Sequence, residues 1–463
     1  MMPKGDAKLP TAGYPDDTRF AFRSGVTCLI TAAGAVLLSP THSQKLPRLT
    51  AVRLQALRTL NAGPATVLEL SDPAERSDVD GLISDLIARG WLSVTVRDGG
   101  NDVYCIQPFR QSSPPSTTPA SPVLSKFAVL HRDSDGFVLE HPLSWCDVRI
   151  NDPRLLAILG GSATVADMPT AVASRFVDDL CWAGMLVAPG GAEDGFDALS
   201  WSAPDLWFHR RSTLGERTVT WDHFGPTKWA KDRFPQPSAR RPDYPGTPIT
   251  LAAPDLVATR AKDPTLTAVL EDRVSTRAFD DARPVSIDQL AELLYRTART
   301  RKIQPVGPSE QLLSRPYPSG GSIYELEVYP VVRHVTGLEP GMYHYDSFEH
   351  LLRPVAAADS KTVARLIKPA AATLAGGVEP QVLLVIAARC GRVMWTYEQI
   401  GYALILKDVG ALMQTIYLAA TAMGLGACAQ GYGDTAAFVA ATGVDERQES
   451  SVGSIVIGSP PPT

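Results

Sequence analysis

Arg273, Ser275 and Arg277 stand within five residues of one another, directly after Glu271 and Asp272. Two guanidiniums and a hydroxyl at this spacing suit one phosphate: the forked arginine donors match its oxygens and the serine adds a neutral donor. The same arginines, at i and i+4, could instead pair with Glu271 or Asp272 on a solvated helix end. A second group, Pro318-Ser319-Gly320, is either an ordinary turn or a loop whose glycine admits a close backbone approach. A third is Tyr397, just ahead of a long apolar run that closes at Gly424-Leu425-Gly426. Its alternative reading is a core aromatic with a satisfied hydroxyl.

The elements that must position these groups lie in residues 248–463. Leu266 to Glu271 reads as a helix that delivers Arg273, and Ser286-Ile287-Asp288-Gln289 fits a capping box opening the helix through Leu290 to Thr297. Continuous apolar runs at Val382–Ala387 and Ser454–Ile457 read as buried strands. A central mixed sheet clad by helices, an α+β fold, is the economical assembly. No Gly-x-Gly-x-x-Gly stands between a strand and a helix, so a Rossmann site for a nicotinamide is unsupported.

The 463 residues suffice for two to four domains. A formal charge of −5 and a pI near 5.9 argue against nucleic acid and leave a small molecule or peptide as the ligand class. Six cysteines, at 28, 105, 146, 181, 390 and 428, form no Cys-x-x-Cys pair and have no histidine at metal spacing, so reduced, mostly buried thiols and no metal site are expected. Met1 to Arg23 lacks the apolar core of a signal peptide, which points to the cytoplasm. Ile400 to Met423 carries Lys407, Asp408 and Gln414 in its middle, so a buried core helix is expected rather than a membrane span.

The front half contains a diverged repeat. Val26–Pro40 and Phe127–Pro142 each read as a β-hairpin turning at Gly34 and Gly136. Arg53–Leu57 then matches Arg154–Ile158, and Leu82–Leu92 matches Phe176–Leu186, each second helix ending in a glycine placed as a C-cap. The outline is that of a winged helix, giving one such domain over 1–110 and another over 122–202. Asp85, Asp178 and Asp179 on the second helices count against DNA. Either the modules grip a peptide as an added strand or they only brace the rest of the chain. Gln111 to Ser121 reads as a linker, and 203–247, a mixture of aromatic, basic and proline residues, either wraps a neighbouring subunit or is a second, solvated linker.

Several blocks agree in order with one family. Arg273–Asp280, Arg315-Pro316-Tyr317-Pro318-Ser319-Gly320-Gly321-Ser322, Gly341–Tyr345, Tyr397–Tyr402 and the glycine-closed helix resemble the SagB-type dehydrogenases, the branch of the nitroreductase fold that oxidises azolines in ribosomal peptides. The resemblance covers residues 250 to 463, and Asp205–Ser212 is similar to a segment ahead of the catalytic domain in those enzymes. It implies FMN as cofactor, with Arg273 and Ser275 at its phosphate and ribityl end and Arg277 near the phosphate or the isoalloxazine. Pro318, Ser319 and Gly320 would approach the flavin from a partner subunit, and the backbone of Gln430 and Gly431 would lie against the ring. A homodimer built on the long helix is implied, as are a precursor-peptide substrate held by the winged-helix-like domains and a cyclodehydratase partner.

The family's proton-abstracting Lys-Tyr pair corresponds here to Thr396-Tyr397. Tyr397 remains as a proton relay, the lysine is absent, and Lys407 or a substrate group is left to compensate. Azoline dehydrogenation is therefore the leading expectation. Reduction of a peptide dehydroamino acid or of a nitro or quinone compound is the alternative, since neither needs a lysine base. A non-catalytic peptide-binding subunit stands third.

Overall fold

In the computed structural model, residues 13–31, 34–40, 42–114, 118–162, 166–215, 217, 223–306 and 310–462 are described. The chain divides into two compact units, Met1–Thr220 and Trp221–Thr463.

In the first unit both expected hairpins form, Thr27–Thr31 with Gly34–Leu38 and Val129–Asp133 with Gly136–Glu140. Helices Ala51–Ala62 and Arg76–Ala88 follow the first, and Leu156–Leu159 and Thr170–Trp182 follow the second. Gly90 and Gly184, after the second helix of each set, have φ of 73° and 72°, the left-handed conformation that ends a helix at low cost in glycine. The two copies are not separate bodies, however. Asn101–Pro108 of the first pairs with Cys146–Ile150 of the second, Val148 opposite Ile106, giving one six-stranded antiparallel sheet and one apolar core from Phe20 to Leu186. The Asp179 carboxylate, counted above against DNA, is buried and accepts hydrogen bonds from Tyr14 Oη (3.1 Å), Tyr104 Oη (2.7 Å) and Arg175.

The second unit is a seven-stranded sheet in the order Ile249–Thr250, Leu351–Ala357, Gly341–Asp346, Leu326–Val332, Val382–Ala388, Ser450–Gly458, Gly426–Gln430. Its ladders are all antiparallel; among the described residues parallel pairing is limited to single bridges, Ser275 to Ala427 and Ser286 to Thr336. One face packs against helices Ile287–Ala298 and Gly401–Ala422, the other against Lys361–Ala372 and Thr435–Thr442. Burial on both faces explains why Val382–Ala388 is apolar throughout instead of alternating. The capping box forms: Ser286 Oγ accepts the Gln289 N–H, and Gln289 reaches back to the Ser286 N–H. The long helix Gly401–Ala422 is apolar and long enough to cross a membrane. It buries Ala403, Ile405, Val409, Leu412, Ile416 and Ala420 in the protein core, as expected from its internal charges.

The described residues of 203–247 are not a solvated linker, because several of their side chains and backbone groups find partners in the fold. In the first unit, Trp207 Nε1 donates to Phe127 O at 3.0 Å and Arg217 pairs with Asp147 at 2.6 Å. In the second, Trp229 Nε1 donates to Met394 O at 2.6 Å and the Lys228 N–H to Thr396 O at 3.0 Å. The fully buried Arg392 guanidinium donates to the carbonyls of Pro237, Gln311 and Ile323. This strap pins helix Cys390–Thr396, and so the turn that presents Tyr397. All six cysteines are free, and five are buried.

Candidate functional site

Helix Leu266–Asp272, capped at its start by Thr265, ends with the Arg273 N–H donating to Val269 O at 3.1 Å. The chain then runs beside the edge strand Gly426–Gln430, with the Thr276 N–H donating to Ala427 O at 2.9 Å. A Cβ at Gly426 would lie 2.7 Å from Thr276 Cγ2, so the segment seats only because residue 426 is glycine. Tyr417, from the long helix, ties the arrangement together. Its Oη accepts the Ala429 N–H at 2.7 Å and sits 3.1 Å from Ser275 Oγ, and the Arg273 guanidinium lies 5.3 Å from its ring centre.

Glu271 and Asp272 make no ion pair with Arg273 or Arg277 among the described residues, so the helix-end pairing weighed above is not realised. Arg277 is exposed, while its carbonyl accepts the Ala375 N–H at 2.8 Å. Two guanidiniums without an internal counter-ion, beside a half-buried hydroxyl, make a donor set that fits a phosphate group. On this observation the residues present suit the phosphate end of FMN.

The Pro318–Ser322 loop is held against the other half of the long helix. Asp408, buried in mid-helix, accepts the Gly320 N–H with both carboxylate oxygens, at 3.2 and 3.0 Å. Ser319 Oγ accepts the Tyr324 N–H at 3.0 Å and donates to Glu325 Oε2 at 3.4 Å. A Cβ at Gly320 would stand 3.3 Å from Leu404, so packing within the chain itself accounts for the glycine there. Gly321 has φ of 61°, and a Cβ on it would lie 2.7 Å from Tyr397 Oη. The phenol of Tyr397, half-buried, therefore rests on the loop backbone. Burial first, and then the nearby Asp408 charge, raise its pKa above the ordinary tyrosine value.

Glu325 is completely buried, and burial followed by repulsion from Asp408 pushes its carboxyl up to about 7. Asp408 is raised as well, chiefly by burial. Two residues along the strand, burial would also raise Glu327. There, however, His344 at 3.0 Å and the Arg315 and Arg389 guanidiniums hold it down at about 2.

Asp408 and Tyr417 are nine positions apart on one helix, which at about 1.5 Å per residue separates the two groups by about 14 Å within one chain. The sequence singled out neither Glu325 nor Tyr417, and it noted Asp408 only as a charge in an apolar helix. A carboxylate in the middle of such a run was the available signal.

Lys407 is exposed, about 100° round the helix from Asp408, and makes no hydrogen bond or ion pair among the described residues. It is not gathered into the Tyr397 group. The Gln430 side chain is committed to Thr373 Oγ1 (2.7 Å), Cys428 O (3.1 Å) and Tyr432 Oη (3.3 Å). Gly431 is exposed, and a Cβ there would meet nothing within 4 Å.

Comparison with known proteins defines the class. Residues 270–459 match the nitroreductase family, and residues 122–218 match the family described as cyanobactin oxidase ThcOx. The second unit carries a nitroreductase-family domain with an α+β fold. The ThcOx-matching segment thus precedes the nitroreductase-matching one in the chain. A protein of Methanocaldococcus jannaschii, provisionally named a nitroreductase, is 28% identical over 186 residues, 40% of this chain and 85% of that protein. The microcin B17-processing protein McbC of Escherichia coli is 27% identical over 151 residues, 32% of this chain and 52% of McbC. A solved nitroreductase-like protein from Ralstonia eutropha is 25% identical, covering 50% of this chain and 99% of its own, with a TM-score of 0.37. The E. coli microcin synthetase McbBCD complex with truncated pro-MccB17 is 21% identical, covering 55% and 91%, with a TM-score of 0.34.

Proposed function

We propose that this chain is an FMN-dependent dehydrogenase that converts azolines to azoles in a ribosomally made, modified peptide. It would work in the cytoplasm as a homodimer, with a cyclodehydratase supplying the azoline. The observation that carries the reading is one helix organising both needed groups: Tyr417 at the uncompensated arginines, and Asp408 at the loop under Tyr397. Arg273, Ser275 and Arg277 would hold the phosphate, and FMN when bound supplies the two-electron oxidant for the ring.

Azoline oxidation removes a proton from one ring carbon and a hydride from its neighbour, so a proton acceptor is required at the substrate. Thr396 does not ionise in the accessible range. The Tyr397 phenol, held by the Gly321 backbone and the strap behind Thr396, is the group offered in its place. Exposed Tyr402 and Leu406 on the long helix supply the apolar contact for a second copy. The first unit would hold the peptide.

Thr396 in place of lysine favours one second reading, reduction of a peptide dehydroamino acid or of a nitro or quinone compound, for which no ring proton is abstracted. The test is an absorbance spectrum of the purified protein followed by anaerobic mixing. Bleaching of the bound flavin by an azoline peptide supports the dehydrogenase; bleaching by reduced nicotinamide alone supports the reductase. Protein that takes up no FMN refutes both.

A further inference from the structure

The loop that carries Ser319 and Gly320 rests on two buried carboxyls. Glu325 is 0% exposed and Asp408 6%. Asp408 accepts the Gly320 amide and Glu325 accepts the hydroxyl of the adjacent Ser319, so both carboxyls grip one loop turn and the Asp408 charge bears on Glu325. Two like charges on one turn of a dry site repel, which favours keeping one proton between them at neutral pH and below. Among the described residues Glu325 Oε1 has no hydrogen-bond partner, and neither do Nε and Nη2 of Arg315, itself 3% exposed. Buried polar atoms of this kind are the usual hosts of an internal water. Consecutive glycines bring Tyr397 to this pair: Asp408 holds the Gly320 amide, and Tyr397 Oη overhangs Gly321.

We propose that Glu325 and Asp408 share one proton and act together as the proton store behind Tyr397, filling the role of the absent lysine at position 396. The inference rests on the azoline-dehydrogenase reading. In the step envisaged, the ring C–H proton passes to Tyr397 Oη while the phenol's own proton passes, through one water, to the ionised member of the pair. The hydride from the adjacent carbon goes to the flavin oxidant of that reaction. The phenol is unchanged at the end and the pair holds one proton more, to be released to solvent before the next turnover. The charged and titratable groups that act on the pair are Arg315, Tyr317, Cys390, Arg392 and Tyr397. Both acids are positioning residues acting through Tyr397.

The test uses FMN-loaded wild type, Glu325→Gln and Asp408→Asn, mixed anaerobically with an azoline peptide between about pH 5.5 and 9. Expected is a bleaching rate in wild type that climbs with pH, and a climb displaced to lower pH in Glu325→Gln, where the like charge is gone. Asp408→Asn should bleach about 100-fold more slowly at pH 7, within the range for loss of a general base. Flavin affinity and bleaching by dithionite, which needs no C–H proton, should match wild type in both variants. An unmoved pH profile in Glu325→Gln together with a wild-type rate in Asp408→Asn overturns the proposal, as does loss of flavin from both. Potentiometric titration of the apoproteins is independent of any substrate. Wild type should titrate one group near neutrality that both variants lack, and equal curves refute the shared proton. Failure of every azoline peptide to bleach wild type instead refutes the reaction, whatever the titration shows.

Discussion

Replacing Glu325 by glutamine should stabilise the apoprotein at neutral and alkaline pH. The carboxyl is driven from its ordinary 4.5 up to about 7, first by burial and second by the Asp408 charge. A raised acid pKa means that the folded chain binds the proton more tightly than the unfolded one. Stability therefore falls as pH rises from about 4.5 to about 7, and the full penalty is present above that window. Moving the carboxyl from 4.5 to about 7 corresponds to a cost on the order of 3 kcal/mol, part of it shared with Asp408. Glutamine keeps the shape and removes the charge. For a unit of this size such a gain should raise the melting temperature by roughly 6–12 °C at pH 8, with little change at pH 4.5. Calorimetric melts of both proteins in a pH series measure it. Curves that stay parallel across pH 5 to 8 would refute the argument that a buried, mutually repelling carboxyl pair underlies the loop.

Other substitutions probe the remaining parts. Arg273→Ala combined with Arg277→Ala should leave the fold intact, because that segment is held by backbone bonds to Ala427 and Ala375. Losing two charge-assisted contacts of about 1.5–3 kcal/mol each should weaken FMN binding by at least about 100-fold in a fluorescence titration, and full flavin occupancy would disprove the assignment. Gly321→Ala places a methyl 2.7 Å from Tyr397 Oη on a backbone with φ of 61°. It should cost about 1–2 kcal/mol in denaturant melts and slow azoline bleaching without loss of flavin. Arg392→Ala strands three carbonyl acceptors beneath the strap and should destabilise by on the order of 3 kcal/mol or more, with increased proteolysis between 228 and 241.

Local chemistry was readable from the sequence wherever one segment decides the outcome. The capping box at Ser286, the all-apolar strand at Val382 and the helix ending before Arg273 each depend on neighbours in the chain, and each forms. What sequence could not supply was pairing across distance. The two repeats share a sheet because Asn101–Pro108 offers a second edge to Cys146–Ile150, and nothing in either strand announces that partner. The strap at 223–247 looked solvated by composition, whereas its carbonyls are the acceptors that satisfy Arg392, Arg389 and Trp395.

The same limit explains the site. Lys407 stood out as a cation one position from the helix face that matters, and that one position, about 100° of rotation, sends it to solvent and Asp408 to the loop. A buried acid in an apolar helix is costly unless something answers it. Here the Gly320 amide does so, from the loop beneath Tyr397. For stability alone an apolar residue at 408 would serve better, so the acid's position argues for a role in moving the proton that Thr396 cannot accept.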